Sequence, residues 1–298
     1  MKLSPQQIRE TMTNRFVEAM EGNLYPWRKP WGDYVPSLPM NFKSKRQYSG
    51  MNAMLLMWSG FQNNQWGTLK SWQQRIPSAK LISGCCPVEI FGMTQLPYRD
   101  KAGKIKVDGN GHAMYYSVAK RWEVCNAEQL VAEKDQEKLN RYQRVESRNH
   151  DPDFEPAERL ISATGAVICQ RGNSASYDPS SDCIVVPEKR KFDSVSDYYE
   201  TVFHELCHWC EQSHRVGTPK KSSYAFRELV AEMGACFLLL QLKVPCAEKM
   251  LENSTNYVIQ WLKEMNGNSK FIFDASAQAS KVANYLLSHL VSQNNLAA

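Results

Sequence analysis

The chain has 298 residues, 36 Lys and Arg against 31 Asp and Glu, and a formal net charge of +5. That length admits two domains of ordinary size, the polar stretch from residue 1 to 15 has no apolar core of a secretory signal, and the longest apolar run, Met233 to Leu240, is far too short to span a bilayer. Nine cysteines, an odd number without framework-like spacing, are expected as reduced thiols of a soluble cytoplasmic protein.

In chain order, Ser4 to Met20 carries apolar residues at Ile8, Met12, Phe16, Val17 and Met20, which predicts an amphipathic helix capped by Ser4 with Pro5 at its first position. An irregular stretch from Tyr25 to Pro39 follows, rich in Pro, Trp and basic residues. Short helices are predicted over 51–60 and Leu69 to Ile76. Strands are predicted at Val88 to Phe91, Lys104 to Val107 and Ala113 to Val118, the last two separated by the turn cluster Asp108-Gly109-Asn110-Gly111, and Trp122 to Leu130 closes the unit. From about Ala132 to Pro156 the chain is densely charged and reads as a polar helix followed by a linker. Beyond it, Ala166 to Cys169 and Cys183 to Val186 read as strands, and helices fill the remainder. The fold class expected is α+β in two domains, with boundaries at 1–132 for the first, 133–157 for the charged helix and linker, and 158–298 for the second. No internal repeat or low-complexity segment is present.

Charge divides unevenly between these parts. Residues 1–130 hold 17 Lys and Arg against 9 Asp and Glu, whereas the rest is mildly acidic. A basic first half points to a polyanion, nucleic acid before membrane, because no long Lys-rich amphipathic helix accompanies it. Six of the eight tryptophans also lie in this half. Single strands are held by aromatic faces that stack on bases and by cations that follow the phosphates. Three clusters interleave the two kinds of residue: Trp27, Arg28, Lys29 and Trp31; Asn41, Lys43, Lys45, Arg46 and Tyr48; and Lys101, Lys104 and Lys106 with Lys120, Arg121 and Trp122. Core packing is the ordinary fate of a tryptophan, and Trp58 and Trp72, on helical patterns, are expected there.

The second half carries His204-Glu205-Leu206-Cys207-His208. Residues four apart stand one turn above each other on a helix, so both imidazoles can reach one metal ion, and Glu205 is the expected general base that takes a proton from water activated by the metal. A catalytic zinc takes three protein ligands and keeps one position open. Ser222 to Ala235 reads as a second helix on which Glu228 and Glu232 share a face, heading into an apolar run where unpaired carboxylates are expensive. Glu228 is assigned as third ligand and Glu232 as acceptor for the outer N–H of a ligating histidine, and the reverse assignment stays open. Zinc is the expected metal, with Mn or Co able to take the same donors. Cys207 and Cys210 lie too close to the histidines on one helix to complete a tetrahedron and are read as small buried residues. His214, Tyr224 and Tyr257 are alternative donors to an oxyanion, with no spacing that selects among them.

Over nearly its whole length the chain resembles the ArdC-type antirestriction proteins of conjugative plasmids. The first half carries the resemblance in Trp27-Arg28-Lys29-Pro30-Trp31, in Pro39 through Tyr48-Ser49-Gly50-Met51-Asn52, in Trp66-Gly67-Thr68 and in Val124-Cys125-Asn126-Ala127-Glu128-Gln129. The second carries it in Tyr177, Asp182-Cys183-Ile184-Val185-Val186-Pro187, His204 through Trp209 and Tyr224 through Glu232. Cys207 stands where glycine is common and Cys125 where phenylalanine is common. The resemblance implies an N-terminal α/β single-stranded-DNA-binding domain, with Asn52 and Trp66 joining the DNA contacts, and a C-terminal zincin-like metallopeptidase domain. It also implies protection of incoming single-stranded plasmid DNA from host restriction, in the cytoplasm of a recipient bacterial cell. The alternative is a cytosolic zinc peptidase, recruited to DNA, that cleaves a host protein.

Overall fold

The computed structural model describes residues 4–22, 37–145, 154–244 and 254–296. Its first helix, α1 (Pro5–Glu21), starts at a reciprocal cap in which the Ser4 hydroxyl accepts from the Gln7 amide at 3.2 Å and the Gln7 side chain accepts from the Ser4 amide at 2.8 Å. Then follow β1 (Met40–Asn41), α2 (Gly50–Trp58), β2 (Gln65–Gly67), α3 (Leu69–Arg75), β3 (Ala79–Leu81), β4 (Val88–Pro97), β5 (Tyr115–Asn126), β6 (Leu130–Ala132) and α4 (Gln136–Gln143). A four-stranded sheet runs β1-β2-β5-β4, parallel between β1 and β2 and antiparallel elsewhere, while β3 and β6 form a separate antiparallel pair.

The second half contains α5 (Glu155–Thr164), β7 (Val167–Gln170), β8 (Ser176–Asp178), β9 (Cys183–Val186), α6 (Val195–Trp209), α7 (Tyr224–Gln241), α8 (Ser254–Gly267) and α9 (Phe271–Leu296). Its sheet runs β7-β9-β8, with β9 parallel to β7 and antiparallel to the edge strand β8. Helix α7 is the centre of this half: all but one of its residues from Ala225 to Leu240 are buried.

The main hydrophobic core crosses the boundary between the halves. Met12 and Phe16 of α1 and Met51 and Met54 of α2 share it with Phe203, Leu229, Trp261 and Leu286. Helix α1 packs on α8 and α2 on α9. Polar ties reinforce the join, since the Thr13 hydroxyl donates to the Ser269 carbonyl at 2.9 Å and the Ser280 hydroxyl accepts from the Gly50 amide at 2.8 Å. Two smaller cores belong to the first half alone, one built on Phe42 stacked against Trp72 with centroids 3.7 Å apart, the other on Leu56, Trp66, Ile90 and Val124.

One predicted strand is absent. Lys104 to Val107 makes only isolated bridges, Arg99 with Ile105 and Val107 with Ala113, while β4 and β5 run far longer than their predicted segments and pair continuously. The cause is local: Asp100 accepts from the amides of Ala102 and Lys104, and Asp108 from those of Asn110 and His112, so both short loops are wound into turns. The three-residue β8 lay below what alternation can signal.

Candidate metal centre

Helix α6 begins at Ser194, whose hydroxyl accepts from the Asp197 amide at 3.1 Å, and α7 at Ser223, which accepts from Phe226 at 3.2 Å. Helix α6 buries Tyr199, Val202, Phe203 and Leu206, leaving His204 and His208 at the edge of that face. The two helices lie close because α7 has a glycine at the crossing: a Cβ on Gly234 would stand 2.6 Å from the Cys207 sulfur. Their approach brings the buried Glu228 against both imidazoles.

The His204 and His208 Nε2 atoms are 3.1 Å apart, and the Glu228 carboxylate oxygens stand 3.5 Å from each of them. A tetrahedral ion with bonds of 2.0–2.1 Å spaces its ligand atoms by about 3.3 Å. The three side chains therefore fit a common divalent ion, and they form the one cluster of three or more such donors among the described residues. Outer nitrogens are also engaged. His208 Nδ1 lies 2.8 Å from Glu211, which the Arg227 guanidinium holds at 3.2 Å, and His204 Nδ1 faces Glu232 at 3.7 Å. A carboxylate on the far side of the ring fixes the tautomer that offers Nε2 to a metal.

Burial opposes charge on His204, but Glu228, Glu232 and Glu205 outweigh it and hold the imidazole up at about 9. Burial likewise raises the Glu228 carboxyl, and the two imidazoles with the Tyr224 hydroxyl pull it back below the ordinary value. Glu205, 7% exposed, is pushed up by burial, against the pull of both imidazoles and of a hydrogen bond from the Tyr177 amide of β8. These groups open onto a cleft of about 780 Å³ that Tyr177, Phe192, Tyr224 and Tyr257 also line. The hydroxyls of Tyr224 and Tyr257 meet at 3.0 Å. His214, by contrast, is exposed and outside that lining.

Glu211 was not anticipated from the sequence, although an acid three residues after a ligating histidine on a helix is a readable signal. A further network locks the cleft wall. Arg215 stacks on the Trp209 ring at 3.5 Å and donates to the Asp182 carboxylate at 2.9 Å, and Asp182 accepts from the Tyr177 hydroxyl at 2.8 Å.

The DNA-contact candidates separate into distinct environments. Trp27, Arg28, Lys29 and Trp31 lie outside the described residues. Trp66 must be withdrawn as a stacking face, since it is 1% exposed, paired through β2 between β1 and β5, with Phe61 edge-on at 5.6 Å. Asn52 is likewise structural: its amide donates to the Phe91 carbonyl and accepts from the Phe91 N–H at 3.0 Å, clamping α2 to β4. Asn41 caps the turn that follows it, accepting from Lys43 and Ser44 amides at 3.1 and 3.0 Å, and donates to the half-buried Tyr48 hydroxyl at 3.3 Å. That turn exposes Lys43, Lys45 and Arg46 together. Lys120 and Arg121 are exposed on opposite faces of β5, where Arg121 pairs with Glu89 at 2.9 Å.

Residues 6–144 match the model of the N-terminal domain of anti-restriction factor ArdC, and residues 155–278 match a zincin-like metallopeptidase. The crystal structure of antirestriction ArdC protein from the R388 plasmid aligns in its metal-free form with a TM-score of 0.76 at 25% identity, over 95% of this chain and 98% of that one. Its Mn(II)-bound form aligns with a TM-score of 0.71 at 25% identity, over 95% and 97%. Among curated relatives, a DNA primase TraC of Escherichia coli is 29% identical over 93% of this chain but 27% of its own length, and the protein y4eC of Sinorhizobium fredii is 25% identical over 95% of this chain and 92% of its own. The chain thus spans about a quarter of the length of that primase. With an ArdC N-terminal domain followed by a zincin-like metallopeptidase domain, and one solved ArdC structure aligned along almost its full length, the chain belongs to the ArdC-type antirestriction family.

Proposed function

We propose that this protein binds single-stranded DNA and shields incoming plasmid DNA from host restriction during conjugation, in the cytoplasm of the recipient cell, while its second half holds a divalent ion, zinc first. The observation that carries the reading is the alignment with antirestriction ArdC over 95% of the chain, joined to a first half whose turn at Lys43, Lys45 and Arg46 offers exposed cations. Occlusion is the physical route: a coat of cations on phosphates and rings on bases denies a nuclease its substrate. No described helix is long and apolar enough to cross a membrane.

His204, His208 and Glu228 would hold the ion, which supplies Lewis acidity toward a bound carbonyl. Glu205 lies in the same cleft with its carboxyl raised by burial, so it is the group to receive a proton from an attacking water. Tyr224 and Tyr257 stand on the wall of that cleft as hydroxyl donors. Peptide hydrolysis, with a host protein as substrate, is the reaction this arrangement suits.

Restriction protection scored for two variants tests both parts. Glu205→Ala should leave protection intact, and charge reversal at Lys43, Lys45 and Arg46 should reduce it. Protection lost with Glu205→Ala and kept by the charge-reversed protein would instead make the chain a DNA-recruited peptidase that acts on a host protein.

A further inference from the structure

Strands β4 and β5 pair without a break from Val88 opposite Val124 to Pro97 opposite Tyr115. Directly opposed residues of an antiparallel pair project to the same side, and the side alternates along each strand. Val124, Trp122, Lys120, Val118 and Tyr116 therefore share one face with Ile90, Gly92 and Leu96. At the root this face is core, because Ile90 and Val124 are buried beside Trp66. Beyond the Asn52 clamp on Phe91 the ribbon leaves the body, and every residue from Tyr98 to Tyr116 is exposed.

Ordinary economy of folding does not account for what this outer face carries. Trp122 lies across Gly92, where an added Cβ would stand 2.9 Å from the indole, so the glycine lets the ring lie on the ribbon with its other side in water. Tyr98 and Tyr116 sit with ring centroids 4.8 Å apart at the far end, 44% and 40% exposed. The six steps from Trp122 to Tyr116 span about 20 Å at ~3.4 Å per residue, with Lys120 between the rings. Arg99, Lys101, Lys104 and Lys106 surround the tip, and the ammonium groups of its three lysines and of Lys120 make no ion pair or hydrogen bond among the described residues. Asp100 and Asp108 are turned onto backbone amides, which leaves cations as the outward charges.

We propose that the β4–β5 ribbon is an arm that grips unpaired nucleotides, with Trp122, Tyr116 and Tyr98 stacking on bases and Lys101, Lys104, Lys106 and Lys120 following the phosphates. This rests on the single-strand reading above and assigns it a surface. Rings with Lys120 between them on one exposed face, and unpaired lysines around the tip, match a single strand, whose bases offer both faces. A duplex hides those faces from the rings.

The test is anisotropy of a fluorescein-labelled oligothymidylate with the full-length chain across a salt series. Tyr98→Ala/Tyr116→Ala and Trp122→Ala should each weaken binding about tenfold or more with the salt slope unchanged. The Lys101→Gln/Lys104→Gln/Lys106→Gln protein should lower the slope by about 2. The tyrosine pair is fully outside the core, so it reads binding even where Trp122→Ala unfolds the ribbon root. Binding by the parent chain that persists in all the arm variants, and is lost on charge reversal of Lys43, Lys45 and Arg46, overturns the arm and keeps the single-strand reading. Absence of binding by the parent chain at low salt overturns both. Tighter binding to duplex, lost in the arm variants, overturns stacking in favour of groove insertion.

Discussion

The variant Glu211→Gln tests how the imidazoles are held. Glu211 approaches His208 Nδ1 at 2.8 Å and is itself fixed by Arg227 at 3.2 Å, whereas Glu232 stands 3.7 Å from His204 Nδ1. Carboxylates that orient ligating histidines are worth about 10- to 100-fold in metal affinity, or about 1.4–2.7 kcal/mol. A short charge-assisted bond belongs in the upper part of that range and a contact beyond hydrogen-bond reach at or below its lower end. Glu211→Gln should therefore weaken zinc binding by about thirtyfold, Glu232→Gln by less than about tenfold, and Glu228→Gln by more than either, since it removes the anionic donor. Metal-stripped protein competing with a fluorescent zinc indicator at fixed pH reads all three, with circular dichroism reporting the fold. Equal losses in Glu232→Gln and Glu211→Gln, or parent-like binding by Glu211→Gln, would show that the distance of the outer carboxylate does not set how firmly the imidazoles are held.

Glu205→Ala should retain zinc within a few-fold in the same competition while abolishing any peptide hydrolysis, because its carboxylate is absent from the donor cluster. Gly234→Ala places a Cβ against the Cys207 sulfur and should cost about 1–3 kcal/mol in urea unfolding, most of it restored when Cys207→Ala is added; an equal loss in the double variant would place the strain elsewhere. Arg215 holds the Asp182 carboxyl below its ordinary value of 3.8, so the contribution of that pair is complete above pH 3.8 and falls away as pH drops through the lowered folded value. Melting temperatures across an acid series should show this loss in the parent and a flatter profile in Asp182→Asn. A fragment of residues 1–132 should bind a hydrophobic dye and aggregate, since it strips Met12, Phe16 and Met54 of their partners on the second half; a monomeric fragment with native-like near-ultraviolet dichroism would contradict the shared core.

The His204, His208 and Glu228 cluster was legible as a candidate because helix geometry fixes which residues stack and because carboxylates in an apolar helix need partners, although spacing alone left Glu228 and Glu232 open. Position along the chain says nothing of depth, which is why Trp66 looked like a stacking ring: its three-residue strand is central only because β5 returns from far along the sequence to cover it. Asn52 fails as a DNA contact for the same reason, its partner Phe91 being 39 residues away. The exposed ribbon was half visible, as lysines and a tryptophan in sequence, but its common face required the register of β4 on β5.

Because α1 and α2 are seated among α8 and α9, neither half has a complete interior of its own. Such a chain is expected to melt as a single cooperative block, in which a bound ion would raise the unfolding free energy of the whole by RT ln(1 + [L]/Kd), the β4–β5 ribbon included. Inheritance should follow the same seam. A recombination joint between the halves would expose two raw apolar faces, so the pair is expected to travel between genes undivided, and the stretch shared with the primase TraC does run as one piece of 296 residues.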